Sequence, residues 1–386
     1  MIIKLFGVNS QVNSNAILYD RSLLWTILGL ISFGIVMVTS ASMPISESRP
    51  FFYTQRELIQ LGLALLIMLI SLYIPIYRWK QMSAFLLLAT IIMLIAVLFV
   101  GSSIKGASRW IPLGVFNFQP AELAKLSLFC YLASYLTRKS SEVQNSFWGF
   151  VKPMSVMAVL SFLLLKQPDL GTVIVLFTVT LGILFIAGAK LWQFICILGA
   201  GIFSVVLLIL FEPYRLTRFT TFLDPWKDPT GSGYQLTSSL MAIGNGGFWG
   251  QGLGNSIRKL GYLPEAHTDF IFSIIAEELG YIGVIAILIL LFFLTFKALA
   301  IGFRSLSIDS LFSGYLACQI GIWFGFQTFV NIGVTSGLLP TKGLTLPFVS
   351  YGGSSLIVMS IAVALLLRID FEFREQQVQA RIRTGK

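Results

Sequence analysis

Charge is what this sequence has least of. Of its 386 residues only 11% are Asp, Glu, Lys or Arg, whereas 56% are hydrophobic. With a mean hydropathy of +0.84, there is too little polar surface to cover a soluble globule of this size. Histidine occurs once, as His267, which argues against a multi-histidine metal centre; a carboxylate site for a hard divalent cation stays open. Cys130, Cys196 and Cys318 each sit in an apolar run with no short pair spacing, so neither a disulfide nor a zinc site is expected. The net charge of +10 is not accompanied by a soluble basic domain, a helix-turn-helix or a basic ribbon interleaved with aromatics, and nucleic-acid binding is not expected.

Long apolar runs are what the chain has in quantity. A bilayer core of roughly 30 Å needs about 20 apolar residues per helix, and only helices or closed barrels satisfy the backbone inside lipid. The runs are continuous rather than alternating, which favours helices over a barrel. Spans are expected at 23–38, 57–74, 82–100, 120–137, 147–165, 170–188, 191–211, 270–296, 310–333 and 345–368, about ten in all. The expected fold is an all-α polytopic integral membrane protein, one membrane domain over 1–386. Residues 39–42, TSAS, faintly imitate a signal-peptidase site, but the first run is long and further spans follow it, so a retained anchor is expected.

An even number of spans places both termini on one side. Lys4, Arg21, Arg78, Lys80, Arg138, Lys139, Lys152, Lys190, Lys297, Arg304, Arg368, Arg374, Arg381, Arg383 and Lys386 fall on that side and outnumber the basic residues of the short opposite loops. The positive-inside bias therefore makes residues 1–22 and the tail 369–386 cytoplasmic, and the large loop 212–269, between helices 7 and 8, extracytoplasmic.

Four segments on or near that outer side carry residues a plain bundle does not need. In GASRWIPLGVFNFQPAELAKL, at 106 to 126, Pro120 suits a first helical turn, and Glu122 and Lys125 project from one face of the helix. They are a structural ion pair or, being ionisable near the hydrocarbon, part of a site. Arg109 and Trp110 are interfacial anchors or a sugar platform. QPDLGT, around Asp169, reads as a tight turn between helices. The large loop opens with PYRLTRFTTFLDPW; if helical, it sets Arg215 and Arg218 on one face, where an anion such as a lipid pyrophosphate relieves their repulsion. QLTSSLMAI, from 235, has Leu236, Leu240 and Ile243 opposite Thr237, Ser238 and Ser239, an amphipathic helix for an interface or groove. The glycine run GNGGFWGQGLG lacks the Lys-Ser/Thr pair of a phosphate loop. Finally, GLLPTKGLTLPFVSYGGSS, at 337 to 355, has too many prolines and glycines for one straight helix; such backbone lines a cavity or is buried in protein, and it presents Lys342 as a point charge.

The centre of the reading is YLPEAHTDF, at 262 to 270, which delivers Glu265, His267 and Asp269 to the start of an apolar helix. A carboxylate there is costly to desolvate without a partner or a purpose. Asp269 is the leading candidate for the reacting group.

GASRWI, FQPAELAKL, QPDLGT, PEAHTDFIF, AEELG and LPFVSYGGSS, in this order over nearly the whole chain, resemble the FtsW/RodA (SEDS) family of peptidoglycan glycosyltransferases. LPEAHTDF together with LLPTKGLTLPFVSYGGSS is more similar to the division members than to the elongation members. The resemblance implies polymerisation of lipid II at the outer face of the cytoplasmic membrane. It also implies a class B penicillin-binding transpeptidase as partner within the septal division complex.

Joining lipid-linked sugars requires an acceptor hydroxyl to lose a proton as the anomeric carbon loses a lipid pyrophosphate. Asp269 fits the base: its reference pKa of about 3.9 is low for the task, and partial burial raises it. His267, two residues away, faces differently on a helix, and in the family the aspartate matching Asp269 is the catalytic one. Arg109, Lys125, Arg215, Arg218 and Lys342 form the pool of leaving-group stabilisers. One base and no paired nucleophile imply inversion. The competing readings are a lipid II flippase, since many spans and broken helices also suit transport, and a non-catalytic division scaffold.

Overall fold

The computed structural model describes residues 19–45, 48–104, 107–112, 117–211, 213–340 and 343–384. In chain order the helices are α1 (Arg21–Ser42), α2 (Phe52–Tyr73), α3 (Ile76–Val100), α4 (Pro120–Asn145), α5 (Phe147–Lys166), α6 (Leu170–Ile186) and α7 (Leu191–Leu210). They continue with α8 (Pro213–Leu223), α9 (Tyr234–Gly246), α10 (Ile271–Leu306), α11 (Leu311–Thr335) and α12 (Gly353–Thr384). Among the described residues five helices, α1, α2, α3, α5 and α10, are long and apolar enough to cross a membrane. α6 and α7 provide shorter apolar stretches. α4 and α11 are less apolar because they hold buried polar side chains such as Lys125, Gln319, Gln327 and Asn331, which face protein rather than lipid. The chain is a polytopic helical membrane protein.

Ion pairs define one end of the bundle. Asp20 caps α1, accepting from Ser22 N at 2.9 Å and Leu23 N at 3.2 Å, and its carboxylate meets Lys297 near the end of α10 at 3.0 Å and Arg374 of α12 at 3.9 Å. Close packing of α10 on α11 relies on small residues: a β-carbon at Gly302 would come within 2.4 Å of Cys318 Sγ, and one at Gly314 within 3.0 Å of Gly302 O.

At the opposite end the structure adds what the helical reading omitted. Three short strands, β1 (Ser102–Ile104), β2 (Ala107–Pro112) and β3 (Asn117–Phe118), form a small antiparallel sheet in the order β1-β2-β3. It is held to the bundle through Ser354 at the start of α12, whose hydroxyl donates to Asn117 O at 3.0 Å and accepts from Gln119 N at 2.9 Å. The last helix begins at Gly353 rather than near 345, because Pro347 and the Gly352–Gly353 pair keep residues 343–352 irregular. It then runs past Arg368, its polar part supported by Arg368–Glu372 and Arg374–Asp370 pairs at i, i+4.

Two features of the large loop go beyond what its sequence pattern shows. α9 turns its small polar face inward together with one end of its apolar stripe: Thr237, Ser238, Ser239 and Leu236 are buried, while Leu240 and Ile243 are only half-buried. Ser239 Oγ donates to Thr335 O at 2.7 Å and lies 2.6 Å from Ser273 Oγ, so its hydroxyl is satisfied by α11 and α10 at close range. The glycine run crosses α10 where that helix breaks at Gly280 (φ +65°). There Gln251 N and Gly252 N donate to Glu277 O and Glu278 O, and Tyr281 N to Gly247 O. These glycines let two backbones meet; a β-carbon at Gly250 would lie 2.2 Å from Glu278 O.

Candidate active site

Asp269 ends the turn that feeds α10. That turn is built on Glu265, in the left-handed region at φ +58°; its carbonyl accepts from Thr268 N and Phe270 N, and its carboxylate from Thr268 Oγ at 2.7 Å. The chain thus reverses and starts a helix within a few residues, leaving Asp269 half-buried at its entrance.

The segment after α11 closes over this turn. Tyr351 N donates to His267 O at 3.0 Å. Nearer the carboxylate, Asn331 Nδ2 donates to Asp269 O at 2.9 Å and to Leu344 O at 2.6 Å. Gly343 is exposed and so close to Asp269 that a β-carbon there would sit 2.7 Å from Oδ2. The aspartate therefore stands at an opening, with its backbone fixed behind it and a glycine beside it. The His267 ring packs against Tyr53 of α2, with centroids 4.8 Å apart, and Tyr351, at 5.5 Å. Burial of Tyr351 pushes its phenol up from the ordinary value.

Glu122 and Lys125 stand one shell further in. Lys125 is fully buried, pairs with Glu122 at 2.8 Å, lies over the Trp323 ring at 4.8 Å and donates to Gln327 Oε1 at 3.4 Å. Gln327 passes the restraint on, donating to Thr345 O at 2.8 Å. The pair is thus an internal strut whose far end is the 343–345 backbone. Arg109 donates to the carbonyls of Gln167, at 2.8 Å, and Pro168, at 2.6 Å, at the end of α5. Trp110 follows it on β2, opposite Ser102 of β1. The neighbouring Asp169 caps α6 through Thr172. Arg215 and Arg218 lie on α8, which packs against α7; their side chains, like the whole of Lys342, are outside the described residues. Among the described residues no three of His, Cys, Asp and Glu converge as metal ligands.

The sequence reading passed over three groups that shape this site. Asn331 and Gln327 are visible in the sequence as amides inside an apolar helix, a costly placement that signals a task. The third is a buried ion pair between Lys259 Nζ and Glu278 Oε1, at 2.7 Å. Ser40 Oγ of α1 joins it, accepting from Lys259 at 2.9 Å and donating to Glu278 at 2.8 Å. Ser256 Oγ donates to the adjacent Glu277. This clamp ties the loop just before the Asp269 turn to α10.

Comparison with known proteins shows the family. The model of the family FTSW_RODA_SPOVE, described as "Cell cycle protein", matches residues 21–375. The chain belongs to the FtsW/RodA family. It is 59% identical over 383 residues to the "Probable peptidoglycan glycosyltransferase FtsW" of Escherichia coli O6:H1, covering 98% of this chain and 92% of that one. Among solved structures it is similar to a chain from "Structural coordination of polymerization and crosslinking by a peptidoglycan synthase complex". That match has a TM-score of 0.76 and 29% identity, with 93% of this chain and 99% of that chain covered. It is also similar to the rod shape determining protein RodA of Thermus thermophilus, at a TM-score of 0.69 and 29% identity, with 92% and 98% covered. As a member of this family the chain is FtsW-like and a multi-pass protein of the inner membrane.

Proposed function

We propose that this protein is a peptidoglycan glycosyltransferase that polymerises lipid II into glycan strands for septal wall synthesis. Asp269 is the general base. It accepts the proton of the acceptor hydroxyl as that oxygen bonds to the anomeric carbon, while the bond from that carbon to the pyrophosphate breaks and undecaprenyl pyrophosphate leaves. With one plausible base and no paired nucleophile among the described residues, the anomeric carbon inverts. The observation that carries this reading is the placement of Asp269 at an exposed glycine, with its backbone locked from behind by Asn331. A base must be close to the reacting group and held still. Lys342, Arg215 and Arg218 supply positive charge for the departing pyrophosphate, with Trp110 and Arg109 at the rim.

In this reading the ten long helices all cross the membrane, the termini are cytoplasmic, and residues 212–269 lie outside with the site, where lipid II and a class B penicillin-binding transpeptidase meet it. The name of the similar synthase complex, which joins polymerization to crosslinking, supports such a partner. The test is the purified complex with its transpeptidase site inactivated, given labelled lipid II in detergent. Glycan chains from the wild type and none from Asp269→Asn, at equal folding and partner binding, are expected. Equal activity in both overturns the assignment, and lipid movement in vesicles without polymer favours transport.

A further inference from the structure

Asn331 holds the backbone of Asp269 from behind, and it has a second bond, to the segment facing the carboxylate, that the transfer chemistry does not use. It is 1% exposed in an apolar helix, where Leu or Ala would pack without desolvating an amide. Its Oδ1 has no hydrogen-bond partner among the described residues, so what the side chain contributes is its two donated bonds, to Asp269 O and Leu344 O. These join the near ends of the two segments that form the opening, as the Tyr351 to His267 bond joins their far ends. One turn earlier on the same helix face, Gln327 holds the next carbonyl, Thr345 O, and is itself fixed by Trp323 Nε1 at 2.6 Å. α11 therefore presents a pair of amides that set where residues 343–345 lie relative to the carboxylate.

We infer that Asn331 is a positioning residue for glycosyl transfer: it fixes the gap between the Asp269 carboxylate and the 343–345 backbone and acts on the reaction only through Asp269. The inference rests on Asp269 being the base. A displacement of about 1 Å at such a group costs on the order of 100-fold in rate.

The experiment measures kcat and KM for labelled lipid II in the purified complex carrying Asn331→Ala, Asn331→Asp or Asn331→Ser, beside Asp269→Asn. Asn331→Ala and Asn331→Asp are expected to lower kcat roughly 10- to 100-fold with KM within about twofold of wild type. Asn331→Ser, which keeps one short donor, falls between them and wild type, and carries the test should the other two fail to purify. Wild-type kcat in the Asn331 variants beside an inactive Asp269→Asn overturns the role of Asn331 and leaves the base in place. A raised KM at unchanged kcat also overturns it, as does a loss of kcat that only tracks lost thermal stability and partner binding. Full activity in Asp269→Asn removes the base, and this inference with it.

Discussion

A β-carbon built on Gly343 would lie 2.7 Å from Asp269 Oδ2, closer than a β-carbon approaches another heavy atom. The atom it meets is the terminal oxygen of a carboxylate side chain rather than backbone. Gly343→Ala therefore has an easy structural remedy, rotation of Asp269, and a poor functional one, because the displaced group is the proposed base. The variant is expected to fold and bind its partner as wild type does while polymerising lipid II at least roughly tenfold more slowly. Glycan length on gels, scored against protein recovered in complex, checks this.

Much of this was legible in the sequence, for reasons that can be named residue by residue. The runs that became α1 to α7, α10 and α11 were found because lipid demands about 20 apolar residues per crossing, and the turn before α10 because polar residues beside such a run need a reason. Other features were hidden because they depend on partners far away in the chain. The sheet at 102–118 is too short to show a period and takes its anchor from Ser354. The burial of the polar face of α9 was hidden, since nothing in 235–243 reveals that Thr335 O and Ser273 wait to meet Ser239. AEELG carried family resemblance, but which cation would face Glu278 could not be read from either segment alone.

The Glu122–Lys125 pair separates a strut from a substrate contact. Lys125 is fully buried with Glu122 at 2.8 Å, so Lys125→Met leaves a carboxylate unpaired in the interior and is expected to destabilise by about 3–5 kcal/mol. Removing both charges in Glu122→Leu/Lys125→Met removes that penalty and is expected to recover most of the stability. Because Gln327 then loses the cation beside Oε1, the double variant should stay slower than wild type in polymerisation. Thermal melts in detergent, paired with turnover, distinguish the two effects.

Asp20 gives a pH signature at the terminal end. Burial works to raise its pKa, but this is outweighed by the hydrogen bond from Ser22, the Lys297 ammonium and the Leu23 amide, and the carboxyl is held at about 2 rather than 3.8. Arg374 and Asp370 also face it. Since the folded value is the lower one, the stability this group contributes is complete above about 3.8 and is lost as the pH falls through about 2. Melting temperatures of wild type should therefore drop more steeply than those of Asp20→Asn as the pH goes from 5 towards 2, with the two curves converging at the acid end.

The clamp of Lys259, Glu278 and Ser40 makes the loop before Asp269 a closed segment whose two ends rest on one helix. Residues 260–270 leave α10 at Glu278, through Lys259, and return to it at Ile271, so the Asp269 turn is short of freedom at both ends. Lys259→Met breaks one tether and strands Glu278, which is 0% exposed, a change worth about 3–5 kcal/mol against the folded loop. Because the far tether and the Asn331 bonds remain, the opening should be local rather than global. Amide exchange in residues 251–263 is expected to accelerate roughly tenfold or more while α11 and α12 keep their protection. Pairing the substitution with Glu278→Gln, which removes the stranded charge, should recover part of that protection. Uniform acceleration across the whole chain would instead make the clamp part of the global fold and remove its claim to act on the loop.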